Sequence, residues 1–153
     1  MRWLVLDEVV SVEKGKRVCA KSRVPDPNTE ASPEMLMVEM MAQAGGILLG
    51  AENDFQDNVV FAKIEEAKFY PGFKAGEALE IEALAENLRS EASWIQGRIQ
   101  SSRGKVAEAK LMLASVGELV PGAQGSITFH PEFMKHFQIR EKMTRFQNRT
   151  ASS

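Results

Sequence analysis

A chain of 153 residues with 44% hydrophobic and 26% charged side chains has apolar material for one well-packed domain, and no shift in composition marks a second. A formal net charge of −2 argues against a surface built for nucleic acid or an anionic membrane. The single cysteine, Cys19, has no partner for an internal disulfide, and the stretch from Met1 to Asp7 lacks the apolar run of a signal peptide, so the cytoplasm is the expected compartment.

Trp3 to Val12 predicts a strand and Arg17 to Val24 a second, joined by a turn at Gly15-Lys16. Pro25 to Ser32 is a loop by its prolines and polar residues. Ser32 then reads as a helix N-cap, Pro33 as the first helical residue, and Glu34 as a carboxylate at the positive end of the dipole. From Met35 to Leu49 apolar residues occupy all sides, as in a helix buried on every face. A membrane span needs roughly 20 apolar residues. This run is shorter and contains Glu39 and Gln43, so a central helix is expected instead. An ionised glutamate buried there would cost several kcal/mol unless it were hydrogen-bonded, protonated or facing a pocket.

Val59 to Tyr70 predicts a third strand, and Pro71, Gly72 and Gly76 punctuate a short loop after it. Leu79, Ile81 and Ala83 alternate with Glu80 and Glu82; Trp94 to Ser101 continues the pattern, and Ala107, Ala109, Leu111 and Leu113 alternate with Glu108 and Lys110. Ser102 to Lys105 is a hairpin turn. Two strands, a long helix and a meander of four strands predict an α+β fold in which an antiparallel sheet wraps round one helix, over residues 1–120. Residues 121–153 are expected to form a helical extension with a disordered end: His130-Pro131 marks a helix start, and Phe133, Phe137, Met143 and Phe146 recur at roughly helical spacing. That tail carries Lys135, Arg140, Lys142, Arg145 and Arg149 against Glu132 and Glu141. Its basic face is either solvated or a docking surface for an acidic partner such as an acyl carrier protein.

Pro33, Met35 to Val38 and the core Glu39-Met40-Met41-Ala42-Gln43 resemble the central helix of the FabZ-type β-hydroxyacyl-acyl-carrier-protein dehydratases. The resemblance runs over residues 3 to 117. Leu6 to Val9 are similar to the family's first strand, Ala67 to Phe69 with Pro71 and Gly76-Glu77 to its strand-loop-strand, and Gly104 to Met112 to its final hairpin. It implies the hotdog fold, an acyl thioester as substrate or ligand, carried on an acyl carrier protein or coenzyme A, and no metal or other cofactor. It also implies substrate contacts from Glu34, Met35, Val38, Phe69 and Pro71, with Gln43 orienting the acid.

In that family a loop histidine removes the α proton of a 3-hydroxyacyl thioester, the helix glutamate protonates the leaving hydroxyl, and the two meet across a dimer interface. The division suits their chemistry, since imidazole titrates near neutrality and a carboxyl can hold the proton for the leaving group. Carried onto this sequence, Glu39 is the acid, but Pro25 stands at the histidine and Glu34 at a glycine whose backbone N–H faces the thioester carbonyl. The only histidines, His130 and His136, lie in the tail, and Asp26 adjoins the missing base.

Three functions fit. One is a half-site subunit that lends Glu39 to a histidine-bearing relative in a heterodimer. Another is an enzyme in its own right, either a dehydratase with another base or a thioesterase in which Glu39 activates water. The third is a binding or scaffold module. At least a dimer is expected, because a hotdog sheet continues into a partner's sheet and so covers an exposed edge.

Overall fold

The computed structural model of the chain describes residues 5–28, 31–89, 92–116, 126, 127, 129 and 131–143. β1 (Glu8–Glu13) and β2 (Arg17–Arg23) form a hairpin, and α1 (Pro33–Glu52) follows. Then come β3 (Asn58–Phe69), β4 (Ala78–Asn87), β5 (Ala92–Ser101), β6 (Gly104–Val116), the two-residue β7 (Ser126–Ile127) and the short helix α2 (Pro131–Phe137). Every strand pairing is antiparallel. The first strand begins at Glu8 rather than Trp3, and Trp3 lies outside the described residues.

The alternation read from the sequence is the alternation of the sheet. Leu79, Ile81 and Ala83 of β4, Ile95 and Ile99 of β5, and Ala107, Ala109, Leu111 and Leu113 of β6 are all buried against α1. A strand presents every second residue to one face, so these positions form the inner surface of the wrapped sheet. The approach is close: a Cβ on Gly97 of β5 would stand 2.8 Å from the Met41 sulfur, and only glycine leaves the helix that room.

The expected meander of four strands is a meander of three. The sheet order is β1-β2-β4-β5-β6-β3-β7, so β3 pairs with β6 on the far flank and not with β4. Residues 70–77 must therefore cross three strand spacings, about 14 Å, beneath the ends of β6 and β5. The crossing is tied on both sides. Tyr70 N–H donates to Val106 O and Arg103 donates to Gly72 O, while Gly76 N–H donates to Val24 O and Val24 N–H to Glu77 O. Pairing between strands so far apart in sequence leaves no local pattern, which is why chain order alone suggested a simpler path.

The start of α1 is built as its sequence suggests, but the expected burial on every face from Met35 holds only from Met40, because the first turns emerge from the sheet. Ser32 Oγ accepts the Met35 N–H at 3.2 Å, and Pro33 occupies the first turn, where no N–H is missed. Every residue from Met40 to Ala51 is buried. None of the described helices is long and apolar enough to cross a membrane.

The described part of the tail packs onto the C-terminal end of α1. Phe55, Phe129, Phe133 and Phe137 form an edge-to-face ladder with centroid separations of 5.1, 5.8 and 5.0 Å. The ring of Phe129 fills the space that a side chain on Gly50 would need. Phe133, Phe137 and Ile139 belong to the buried core. The basic face, read from the sequence as either solvated or a docking surface, is reduced by the packing itself. Arg140 pairs with Asp54 at 2.9 Å, and Lys142, 9% exposed, pairs with Glu8 at 3.6 Å, so both cations fasten the tail. His130, Arg145, Phe146, Arg149 and the expected disordered end lie outside the described residues.

Candidate active site

At its N-terminal end α1 leaves the cover of its own sheet. Met35 is 60% exposed, Val38 and Glu39 are half-buried, and the face closes at Ala42, 9% exposed, one turn further on. Met35, Glu39 and Ala42 fall at helical spacing on one side, so the open strip is continuous. Glu39 makes no hydrogen bond or ion pair to another described residue. The sequence left three ways to accommodate a carboxylate buried in this helix; the structure instead leaves Glu39 half-buried on an open strip, where full burial is avoided.

Gln43, one turn along, does not reach back to Glu39. Its amide is buried and its Oε1 accepts the Leu6 N–H at 3.3 Å, fixing the chain just before β1. Glu34 is half-buried in the first turn, Phe69 is half-buried and packed against the core, and Pro71 is exposed at the start of the crossing loop.

Pro25 is half-buried immediately after Val24, the residue bonded to both Gly76 and Glu77. The structure thus brings the Pro25 loop against the crossing loop 70–77. Asp26 is exposed, and its Oδ1 accepts the Asn28 N–H at 2.9 Å, closing a local turn. His136 is exposed on α2 with its ring edge-on to Phe137 at 4.7 Å. It belongs to the ladder whose Phe129 covers Gly50, and Gly50 lies about 16 Å along the helix from Glu39. Within one chain the tail does not carry His136 to the carboxylate. Cys19 is half-buried on the outer face of the sheet, beside Val10, Lys21, Glu82 and Arg98.

Around loop 70–77 the polar side chains are paired. Arg103 donates from Nε to Glu77 at 2.7 Å, and this hydrogen bond and charge hold the Glu77 carboxyl below the usual carboxylate range. The Tyr70 hydroxyl donates to Glu108 at 2.6 Å; the same bond raises the phenol above 10.0 and, with Lys105, lowers the Glu108 carboxyl. Lys68 and Lys105 stand 5.5 and 5.9 Å from the centre of the Tyr70 ring. Sequence reading passed over this group, since its members come from β3, the crossing loop and β6. The loop and the Ser102 to Lys105 hairpin were visible beforehand, but not that their side chains meet.

Two edges of the sheet remain. β7 pairs only with Val59 and Val60, so the described part of β3 from Phe61 onward has β6 on one side and nothing described on the other. Residues 62–68 are exposed throughout, Ile64 by 43%.

No family model matches the chain. A 3-hydroxyacyl-[acyl-carrier-protein] dehydratase FabZ from Variovorax paradoxus is 33% identical over 125 residues, covering 73% of this chain and 83% of its own. Another, from Hydrogenobaculum, is 34% identical over 125 residues, covering 73% and 84%. Among solved structures, the dehydratase heterocomplex ApeI:P from Xenorhabdus doucetiae superposes with a TM-score of 0.60 at 19% identity, over 74% of this chain and 84% of that one. A thioesterase from Haemophilus influenzae superposes with a TM-score of 0.58 at 16% identity, over 74% and 80%. These likenesses show a hotdog fold.

Proposed function

Since the chain belongs to the family of the FabZ-type 3-hydroxyacyl-[acyl-carrier-protein] dehydratases, we propose that it is the acid-lending half of a two-chain dehydratase. It binds a 3-hydroxyacyl or enoyl thioester and supplies Glu39 to a site whose histidine comes from a related partner. The observation that carries this reading is the placement of Glu39: half-buried, without a described partner, on the strip of α1 that this chain's sheet leaves uncovered. Pro25 has no proton to exchange, so in this reading the α proton goes to the histidine of the related chain.

In the forward direction the partner's imidazole takes the proton from the carbon next to the thioester. The electron pair forms the new double bond, and the β-hydroxyl leaves as water with the proton that the Glu39 carboxyl delivers. The open edge of β3 beyond Val60 supports a partner strand pairing there, which would also cover the exposed Ile64. Met35 and Val38 border Glu39 and suit the acyl chain, with adaptable methionine accepting variable shape.

The test is the ultraviolet absorbance of a short trans-2-enoyl thioester, which hydration removes. The expected result is no turnover by this chain alone, turnover with a histidine-bearing relative from the same cell, and loss of the stimulated rate in Glu39→Gln. Full activity of the mixed Glu39→Gln complex would refute the lent acid. A second reading, hydrolysis of an acyl thioester by water activated at Glu39, rests on the same open carboxylate. It requires steady release of free thiol by the pure chain, abolished in Glu39→Gln.

A further inference from the structure

The strip of α1 that carries Glu39 is open among the described residues, yet the tail runs toward it. Arg140 pairs with Asp54, just past the C-terminal end of α1. Ile139 is fully buried, Lys142 N–H donates to Gln138 O, and Met143 packs against the core, so the tail is held down to its last described residue. Two residues after Arg140, the Lys142 ammonium meets Glu8 at 3.6 Å. Glu8 is two residues from Leu6, whose N–H is held by Gln43, and Gln43 lies one turn from Glu39 on the same side of the helix. The tail therefore travels from the sealed end of α1 back toward its open end.

Residues 144–153 follow, outside the described residues. Their sequence, Thr-Arg-Phe-Gln-Asn-Arg-Thr-Ala-Ser-Ser, holds Arg145, Phe146 and Arg149 and no acidic side chain. The strip offers the complement. Glu34 and Glu39 are half-buried carboxylates with no ion pair among the described residues, and Met35, 60% exposed, and Val38 are the apolar side chains beside them. A segment of this length reaches about 33 Å when extended, more than the path from Lys142 by way of Glu8 and Gln43 to Glu39.

Building on the acyl-thioester function proposed above, we propose that residues 144–153 are the resting occupant of this strip. Arg145 and Arg149 meet its carboxylates, Phe146 covers Met35 and Val38, and the segment leaves when an acyl thioester or the partner chain takes Glu39. Arginine on a carboxylate makes the stronger, charge-assisted kind of hydrogen bond. Because the segment is tethered, its effective concentration is on the order of millimolar, so modest contacts keep the strip occupied.

The test uses a fluorescein-labelled peptide with the sequence of residues 144–153 and the full-length chain carrying Arg145→Glu with Arg149→Glu, whose own segment no longer holds the strip. Fluorescence anisotropy is expected to show the peptide binding this double variant, and binding the unsubstituted chain about tenfold or more less tightly, because the tethered segment competes. Adding Glu39→Gln to the double variant should weaken the peptide by a similar factor. Adding Lys135→Glu, an exposed reversal on α2, should change nothing. The milder pair Arg145→Ala with Arg149→Ala should free the strip to a smaller degree, guarding against a folding defect in the reversal.

Crotonyl-N-acetylcysteamine should displace the peptide, and should bind the double variant several-fold more tightly than the unsubstituted chain. Absence of peptide binding, or binding that does not depend on Glu39, overturns the proposal. Equal binding of the small thioester by the double variant and the unsubstituted chain also overturns it, while leaving the acyl-thioester reading intact. Glu39-dependent peptide binding that the thioester does not displace supports the segment as occupant and overturns the functional reading instead.

Discussion

At its C-terminal end α1 is enclosed: every residue from Met40 to Ala51 is buried, Phe129 lies over Gly50, and Phe55, Phe133 and Phe137 extend the seal. At its N-terminal end Met35 is 60% exposed, Glu39 is half-buried without a described partner, and the nearby loops are held by arginines on backbone carbonyls. One helix therefore serves two purposes along its length. Packing energy is concentrated where no chemistry is expected, and the carboxylate sits where little packing would be lost by changing it. If that separation holds, substitutions at the two ends should fall into different classes.

The largest effect should come from the sealed end. Phe133 is 1% exposed between two other rings, and Phe133→Ala should lower stability by about 3–5 kcal/mol through lost burial and the cavity left behind. Thermal or urea unfolding reads this directly; a loss under about 1 kcal/mol would mean that the ladder is an appendage to the core rather than part of it. Gly50→Ala should come next. Alanine favours a helix by about 1 kcal/mol over glycine, but the new methyl would overlap the Phe129 ring. Overpacking of this kind costs about 1–3 kcal/mol, so a net loss is expected. A net gain would show that Phe129 yields easily and that the seal is loose.

On stability, Glu39→Gln should do least of these, shifting unfolding by no more than about 0.5 kcal/mol, as for other substitutions outside a packed network. The same change should lower the hydration rate of the mixed complex by roughly 100-fold or more, as expected for removal of a general acid. A large stability loss with unchanged rate would reverse the assignment and make Glu39 a structural residue.

The legible parts of this molecule were those written in local pattern. Ser32 and Pro33 set the start of α1, the alternation of β4 to β6 set the inner face, and the Glu39-to-Gln43 run gave the family. What was not legible depends on contacts between distant segments. The pairing of β3 with β6, the turning of Gln43 to Leu6 rather than to Glu39, and the use of Arg140 and Lys142 as fastenings all join residues far apart in sequence. The tail's charge was read correctly as composition, but composition does not say whether a cation faces a partner or its own protein.

The smallest effect is also the most direct probe of the open end. The chain has one tyrosine, so ultraviolet titration of tyrosinate reports Tyr70 alone. Its bond to Glu108 needs a protonated phenol and an ionised carboxylate, and it raises the one pKa and lowers the other. Two limits follow. As pH rises through the raised pKa of Tyr70 the donor is lost, so the contribution to stability present below 10.0 disappears in alkali. As pH falls through the lowered pKa of Glu108 the acceptor is lost, so the contribution present above 4.5 disappears in acid. The tyrosinate midpoint should therefore lie above 10.0 and return toward it in Glu108→Gln, with little change in unfolding because both groups are solvent-accessible. If the midpoint of the unsubstituted chain already lies at 10.0, Tyr70 is not held by Glu108, its ring is free to turn, and the start of the crossing loop loses its side-chain anchor to β6.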